Sequence, residues 1–186
     1  MIEFRDLTAD EIEVRVQSVK VQQGQPTGVI LLLYKNARCD MNILDEVVGV
    51  ENWQREHYEC KGNLFCRVGI NTNYADPNKP ERWVWKSDCG VESNTEAQKG
   101  EASDSFKRAC FNFGLGRELY TSPFLWVPAD KCNIYDTKRK DKYNNPIFAT
   151  NDRFYVEKII ITDKKIMAVS IMNENKKERC FVWQRS

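Results

Sequence analysis

Apolar and polar positions alternate near the start of the chain and then give way to an unbroken apolar run. Ile12, Val14 and Val16 alternate with charged and polar residues, which predicts a half-buried strand. The apolar run over residues 29–34 predicts a second, more buried strand. The GQPTG segment at 24–28 has the composition of a turn, so the two strands are expected to form a hairpin.

Two later segments carry apolar residues at helical spacing. The first covers residues 40–48, with Asp40 as the expected N-cap and Gly49 as the stop. The second covers residues 96–113, with Thr95 as its expected cap. The apolar stripe of this second helix consists of Ala102, Phe106, Ala109 and Phe113.

The remaining periodic segments read as strands. They lie at residues 53–60, 63–73, 82–92, 154–161, 166–172 and 180–183. The polar stretch 130–152 is expected to be a long loop. Because strands mostly follow strands through short turns, we predict an α+β fold, an antiparallel β-sheet with a long helix packed across it (a β-β-α-β-β-β-α core) plus a C-terminal β extension. Residues 1–130 are expected to form the core, and residues 131–186 a basic loop and meander within the same compact unit.

Length and composition fit one globular domain. The chain has 186 residues, 41% of them apolar, and no apolar run approaches the length of a membrane-spanning helix. Seven cysteines and an acidic N-terminus without a secretory pattern predict reduced thiols and a cytoplasmic location.

The net charge of +1 taken alone argues against a strongly basic nucleic-acid binder. Its distribution changes that picture. Residues 1–130 carry 15 basic and 20 acidic side chains, and residues 131–186 carry 13 and 7. The chain is therefore polarised, and its densest basic stretch consists of Lys138, Arg139, Lys140 and Lys142.

Motifs for nucleotide, metal or covalent chemistry are not visible. The chain has no phosphate-binding loop signature, and its cysteines lack the spacing of a zinc site. His57 is the sole histidine, and the carboxylates of Glu96, Glu101 and Asp104 do not share one helix face. We therefore expect no catalytic residue, no metal, no cofactor and no enzymatic activity. A metal-dependent nuclease that uses these carboxylates, and a protein-binding scaffold, remain as alternatives.

Basic and aromatic residues recur along the predicted core. Basic groups can hold phosphates and aromatic faces can stack bases. The alternative is that the aromatic residues only pack and the helix cations only solvate their helix. The basic positions in question are Arg15, Lys99, Lys107, Arg108 and Arg117.

Residues 92–127, together with residues 42–54, carry a specific resemblance. A helix ends in Phe-Lys-Arg-Ala at 106–109 and is followed by Phe-Gly at 113–114, and an Ile-x-x-Arg strand at 12–15 precedes it. This pattern resembles the Rad-fifty-two superfamily of single-strand annealing proteins, most closely its phage and bacterial members. The similarity runs from about residue 7 to residue 127.

The resemblance implies ATP-independent binding of single-stranded DNA and annealing of complementary strands in homologous recombination and DNA repair. Subunits would assemble into a ring or a helical filament. A host or phage single-strand binding protein is a further expected partner, and binding to a membrane is not expected. Arg15, Lys107 and Arg108 would hold the DNA backbone, with Lys99 as a weaker candidate. Phe111 departs from the pattern, because the eukaryotic relatives carry a further basic residue there. The basic stretch at 138–142 is a candidate second DNA surface.

Overall fold

A computed structural model describes residues 2–90 and 97–186 of the chain. Strands dominate this described part. In chain order the elements are β1 (Glu13–Gln22), β2 (Gln25–Tyr34), α1 (Ala37–Val48), β3 (Trp53–Cys60), β4 (Asn63–Asn71), β5 (Trp83–Cys89), α2 (Ala97–Phe113), β6 (Leu125–Pro128), β7 (Ile134–Lys140), β8 (Pro146–Thr150), β9 (Phe154–Thr162), β10 (Lys165–Asn173) and β11 (Glu178–Gln184).

Within the described residues the strands pair antiparallel in three sheets, so the predicted α+β class with antiparallel strands is confirmed. The largest sheet has the order β11-β10-β9-β1-β2-β6, a second has the order β3-β4-β5, and β7 pairs with β8 alone. The expectation of a single sheet beneath one long helix does not hold, because β1 and β2 pair with β9 and β6 rather than with β3 to β5. The alternation of apolar and polar residues along a strand shows which of its faces is buried, but it does not show which strand pairs with it.

One compact unit comprises Leu7–Tyr34 and Glu118–Ser186. Its first hairpin turns at Gln23 and Gly24, whose φ angles of 51° and 76° are those of the tight turn that matches strand twist. The predicted hairpin and the predicted meander are both confirmed. The meander joins the first hairpin through the β1–β9 pairing of Glu13 with Tyr155.

The other compact unit comprises Lys35–Arg117 and the N-terminal segment before Leu7. Here α2 lies against β4 and β5. Two fully buried rows face each other, since alternate residues of β4 meet the apolar stripe of α2. These rows are Cys66, Val68 and Ile70 on β4 and Phe106, Ala109 and Cys110 on α2.

The start of α1 differs from the prediction. Asn36, not Asp40, is the N-cap, and its side chain accepts a hydrogen bond from the Cys39 N–H at 3.0 Å. Asp40 lies within the first turn and is fully buried, because Lys35 pairs with it. Both Asn and Asp favour an N-cap, so composition alone did not separate them. The predicted stop at Gly49 is confirmed, with a φ of 86°.

The polar stretch 130–152 is not a loop, because β7 and β8 form a hairpin within it. The Asp141 carboxylate accepts hydrogen bonds from the Tyr143 and Asn145 N–H groups and so holds the connection. Turn-forming residues hid two short strands whose side chains are mostly exposed. The expected cap Thr95 and the first helical residue Glu96 lie outside the described residues.

Neither helix in the described part is long and apolar enough to cross a lipid bilayer.

Gly90 permits the close approach of α2 to the end of β5. A Cβ atom at this position would lie 2.2 Å from the backbone oxygen of Glu101. Because a helix backbone cannot move aside as a flexible side chain can, we expect Gly90→Ala to lower the free energy of unfolding by about 3 kcal/mol. Urea unfolding measures this change.

Gly62→Ala provides the comparison. Gly62 also needs glycine, at a φ of 74°, but an added Cβ would meet nothing within 4 Å. Its expected cost is about 1 kcal/mol, from backbone conformation alone. Equal destabilisation of the two variants would contradict a steric role for Gly90.

Candidate nucleic-acid interface

Lys107 and Arg108 occupy neighbouring positions of α2, on either side of its buried stripe. The Lys107 ammonium lies 3.8 Å from the Asp104 carboxylate, and the Arg108 guanidinium lies 3.2 Å from the carboxylate of Asp88 on β5. The Arg108 side chain is 41% exposed and that of Lys107 is 23% exposed. Both cations therefore reach solvent, and both have an acidic neighbour.

Arg117 lies where α2 ends. Its guanidinium donates to the carbonyl oxygens of Phe111 and Asn112, at 2.7 and 2.9 Å. The ammonium of Lys86, on β5, donates to the same Asn112 oxygen at 2.6 Å. Two cations thus neutralise the negative end of the helix dipole and add positive charge to this end of α2. Sequence reasoning missed Lys86, since its strand register gave no sign of the helix end beside it.

Arg15 lies in the other compact unit, exposed on β1 with its guanidinium 5.8 Å from the centroid of the Tyr34 ring. Burial, with help from Glu13, raises the pKa of Tyr34 to about 12, although Arg15 opposes this rise. The ring is therefore neutral at physiological pH. A cleft of about 590 Å³ beside Arg15 also contains Glu13 and Glu174, so the surroundings of Arg15 are mixed in charge.

The predicted DNA-binding residues are divided between the two compact units. Lys107, Arg108 and Arg117 belong to one compact unit, whereas Arg15 and the basic residues at 138–142 belong to the second. Lys138 pairs with Asp136 at 3.1 Å and is 85% exposed. Lys99 belongs to the first turn of α2, but its side chain lies outside the described part of the chain.

A buried ion pair lies beside α2 in the same unit. The Lys35 and Asp40 side chains are 1% and 0% exposed, and Lys35 also lies 4.4 Å from the centroid of the Phe111 ring. Burial raises the pKa of Asp40 to about 6, although Lys35 and Lys107 oppose this rise. The Phe111 ring on α2 therefore covers a buried cation. No periodic signal in the sequence marked Lys35 as buried.

Trp83 and Trp85 lie on the face of the second sheet that points away from α2. The register pairs them with Asn71 and Gly69, whereas Lys86 and Asp88 on the opposite face of β5 contact α2. Their ring centroids are 6.3 Å apart. Gly69 makes room for Trp85, because an added Cβ would lie 2.8 Å from the Trp85 ring. These two rings therefore pack on each other outside the helix–sheet core.

The histidine and the described helix carboxylates that could serve a catalytic or metal site form hydrogen bonds or ion pairs within the fold. His57 forms a hydrogen bond from its ring Nε2 to the Ala102 oxygen at 3.0 Å. The Glu101 carboxylate accepts from the Leu64 N–H at 3.0 Å, and Asp104 pairs with Lys107. Over residues 2–90 and 97–186, no group of three His, Cys, Asp or Glu side chains is placed to hold a metal ion.

Comparison with protein families identifies the class. Residues 5–138 match the model of the Rad52/22 family double-strand break repair protein, and the chain belongs to this family. The predicted superfamily is thereby confirmed, and the protein falls within DNA recombination and repair. The match includes Arg15, the whole of α2 and Arg117. A search of curated proteins found no match.

The buried pair supports a prediction about stability. Lys35→Met retains apolar volume but leaves Asp40 without its cation, which should cost about 3–5 kcal/mol at pH 8. Without Lys35, burial holds the pKa of Asp40 still further above its ordinary value of 3.8. A group with a raised folded pKa stabilises the fold below that pKa, and the contribution disappears as the pH rises through it. The destabilisation should therefore be smaller at pH 5, as measured by denaturant unfolding at both pH values.

The control is the double variant Lys35→Met/Asp40→Leu. An apolar pair in place of a buried ion pair is often neutral for stability, so most of the stability should be recovered. The pH difference should disappear with the carboxyl group. A destabilisation in Lys35→Met that is equal at pH 5 and pH 8 would contradict this role for Asp40.

Proposed function

We propose that this protein binds single-stranded DNA and anneals complementary strands without ATP, as a phage or bacterial member of its family. The observation that carries the proposal is the Phe-Lys-Arg-Ala sequence on α2, inside the stretch that matches the family, where Lys107 and Arg108 reach solvent on either side of a buried stripe. The residues proposed to contact the DNA backbone are Arg15, Lys99, Lys107, Arg108 and Arg117.

Annealing requires these side chains only to hold the DNA backbone. Two strands must be held extended with their base edges free, and phosphate contacts hold a strand without reading its sequence. Cations at the phosphates also reduce the repulsion between two incoming strands. No covalent bond forms or breaks, so the proposal needs neither a nucleotide nor a catalytic group.

Self-association into a ring or filament belongs to the same proposal. Strands β3 and β5 form the two edges of their sheet, and in the described chain each pairs on one side only. Unpaired edge strands are templates for pairing with another chain. An assembly would also align the few cations of a near-neutral subunit into a continuous track. We propose residues 1–130 as the annealing core, acting in the cytoplasm of a bacterial host, with a host or phage single-strand binding protein as a further partner.

Substitutions of the two partners of one ion pair test whether α2 contacts DNA. Arg108→Ala should weaken binding of oligo-dT and reduce the slope of log affinity against log salt by about 0.7 for each phosphate that the variant no longer holds. Lys107→Ala should act in the same direction. Asp88→Asn should strengthen binding several-fold, because Arg108 then no longer shares its charge with the Asp88 carboxylate. Fluorescence anisotropy at several salt concentrations measures all three.

The alternative interpretation predicts a different result. If these cations only solvate the helix, the variants bind DNA like the parent and are destabilised by about 0.2–1 kcal/mol, the usual worth of surface ion pairs. Labelled complementary strands incubated with the parent and Mg²⁺ complete the test. Duplex formation without shortening supports annealing, whereas shortened strands would support a metal-dependent nuclease.

A further inference from the structure

The hairpin formed by β7 and β8, residues 134–150, carries the densest basic stretch of the chain. We call it the basic hairpin. The pairing of its strands shifts between Asp136 and Lys140, and Lys138 within this bulge has a φ of 61°. The whole tip, residues 138–147, is exposed. Its basic members are Lys138, Arg139, Lys140 and Lys142.

The acidic residues of the basic hairpin are engaged in its own turns. Asp136 accepts from the backbone N–H of Lys138 at 2.8 Å and from its ammonium at 3.1 Å. Asp141 accepts from the Asn145 and Tyr143 N–H groups and from the Asn145 side-chain amide. These hydrogen bonds, above all those from the backbone, lower the pKa of both carboxyl groups. Both carboxylates therefore hold the hairpin's shape, and Asp136 neutralises Lys138.

The other three cations have no such neighbour. Within the described residues, Arg139, Lys140 and Lys142 have no carboxylate within 4.0 Å, and all three are exposed. This distinguishes them from Lys107 and Arg108, each of which faces an acidic side chain. A phosphate that approaches these three cations displaces only water and counterions, whereas a phosphate at α2 competes with a carboxylate. Release of counterions is the main source of affinity for nucleic acid.

Exposed aromatic rings accompany the cations. Tyr143 is 72% exposed, and the Lys142 ammonium lies 4.9 Å from the centroid of its ring. Tyr135 is 45% exposed, and its hydroxyl donates to the Asn151 side chain at 3.2 Å, which fixes the ring. Cations beside exposed rings are the combination with which proteins bind single strands, because the phosphates and the base faces are both met.

We propose that the basic hairpin is a second binding surface for single-stranded DNA, in which Arg139, Lys140 and Lys142 hold phosphates and Tyr143 stacks on a base. This inference rests on the proposed function and deepens it. Within the described residues, its three cations can bind a phosphate without first breaking an ion pair, unlike Lys107 and Arg108 on α2. It also lies in the compact unit that does not contain α2.

The test compares two triple variants of the full chain. Arg139→Gln/Lys140→Gln/Lys142→Gln removes the proposed phosphate-binding cations. Lys61→Gln/Lys165→Gln/Lys177→Gln removes the same charge from three other exposed positions without an ion pair in the described part. Binding of oligo-dT is measured between about 50 and 300 mM salt, the range over which counterion release changes affinity most visibly. The salt slope of the hairpin variant should fall by about two, at about 0.7 for each phosphate, and the control should keep the parental slope.

Tyr143→Ala separates stacking from charge. It should weaken oligo-dT binding about tenfold at every salt concentration and leave the slope unchanged, because stacking releases no counterions. Circular dichroism and the elution volume on a sizing column should match the parent for all variants. A variant that fails this check is replaced by the single substitution Lys140→Gln, with an expected slope change of about 0.7.

The outcomes separate the two proposals. The hairpin surface is wrong if the hairpin variant keeps the parental oligo-dT affinity and salt slope, or if the control variant loses as much of either. In both cases the proposed function still holds, provided that the parent anneals complementary strands. A parent that does not bind oligo-dT overturns both. Sedimentation with vesicles of phosphatidylcholine and phosphatidylserine tests whether the basic hairpin binds anionic lipid instead of DNA. If the hairpin variant no longer binds vesicles but keeps DNA binding, the surface is one for lipid and the inference is wrong.

Discussion

Burial of the apolar stripe of α2 against β4 is the constraint on which the candidate interface depends. Phe106, Ala109 and Cys110 are fully buried. Since residues on a helix have fixed angular positions, burying these three leaves Lys107 and Arg108 outside the buried stripe, where both reach solvent. Gly90 then sets how closely the helix approaches, because the Glu101 backbone occupies the space that a side chain would need. The position of the Phe-Lys-Arg-Ala sequence on α2 therefore follows from packing of the apolar stripe.

Several cations on and beside α2 have intramolecular partners. Arg108 faces Asp88, Arg117 and Lys86 bind the carbonyl end of α2, and Lys35 is buried with Asp40. A net charge of +1 is therefore a poor guide to the surface that a ligand meets. What matters is which cations keep an intramolecular partner. By that criterion, among the described residues, the basic hairpin offers more unpaired positive charge than α2, where Lys107 and Arg108 each face a carboxylate.

Much of the candidate site was predictable because its signal is local. The Phe-Lys-Arg-Ala motif, the helix that carries it and the basic positions around it are visible in a few consecutive residues. The ion pairs are not, because Asp88 lies 20 positions from Arg108. Lys35 is the clearest example. An isolated lysine reads as a surface residue, and its burial follows from the meeting of α1, Asp40 and Phe111.

The sequence by itself determined most of the secondary-structure elements and the family, since periodicity, turn residues and the α2 motif act over short distances. It predicted which consecutive strands pair, but it did not determine how these hairpins combine into sheets. β1 and β2 join the C-terminal meander, and β3 to β5 form a sheet of their own with α2. It also hid the basic hairpin, whose strands are largely polar and leave no alternation to read. Only the tertiary structure decided these points, because strand partners are chosen by side-chain packing between segments far apart in the chain.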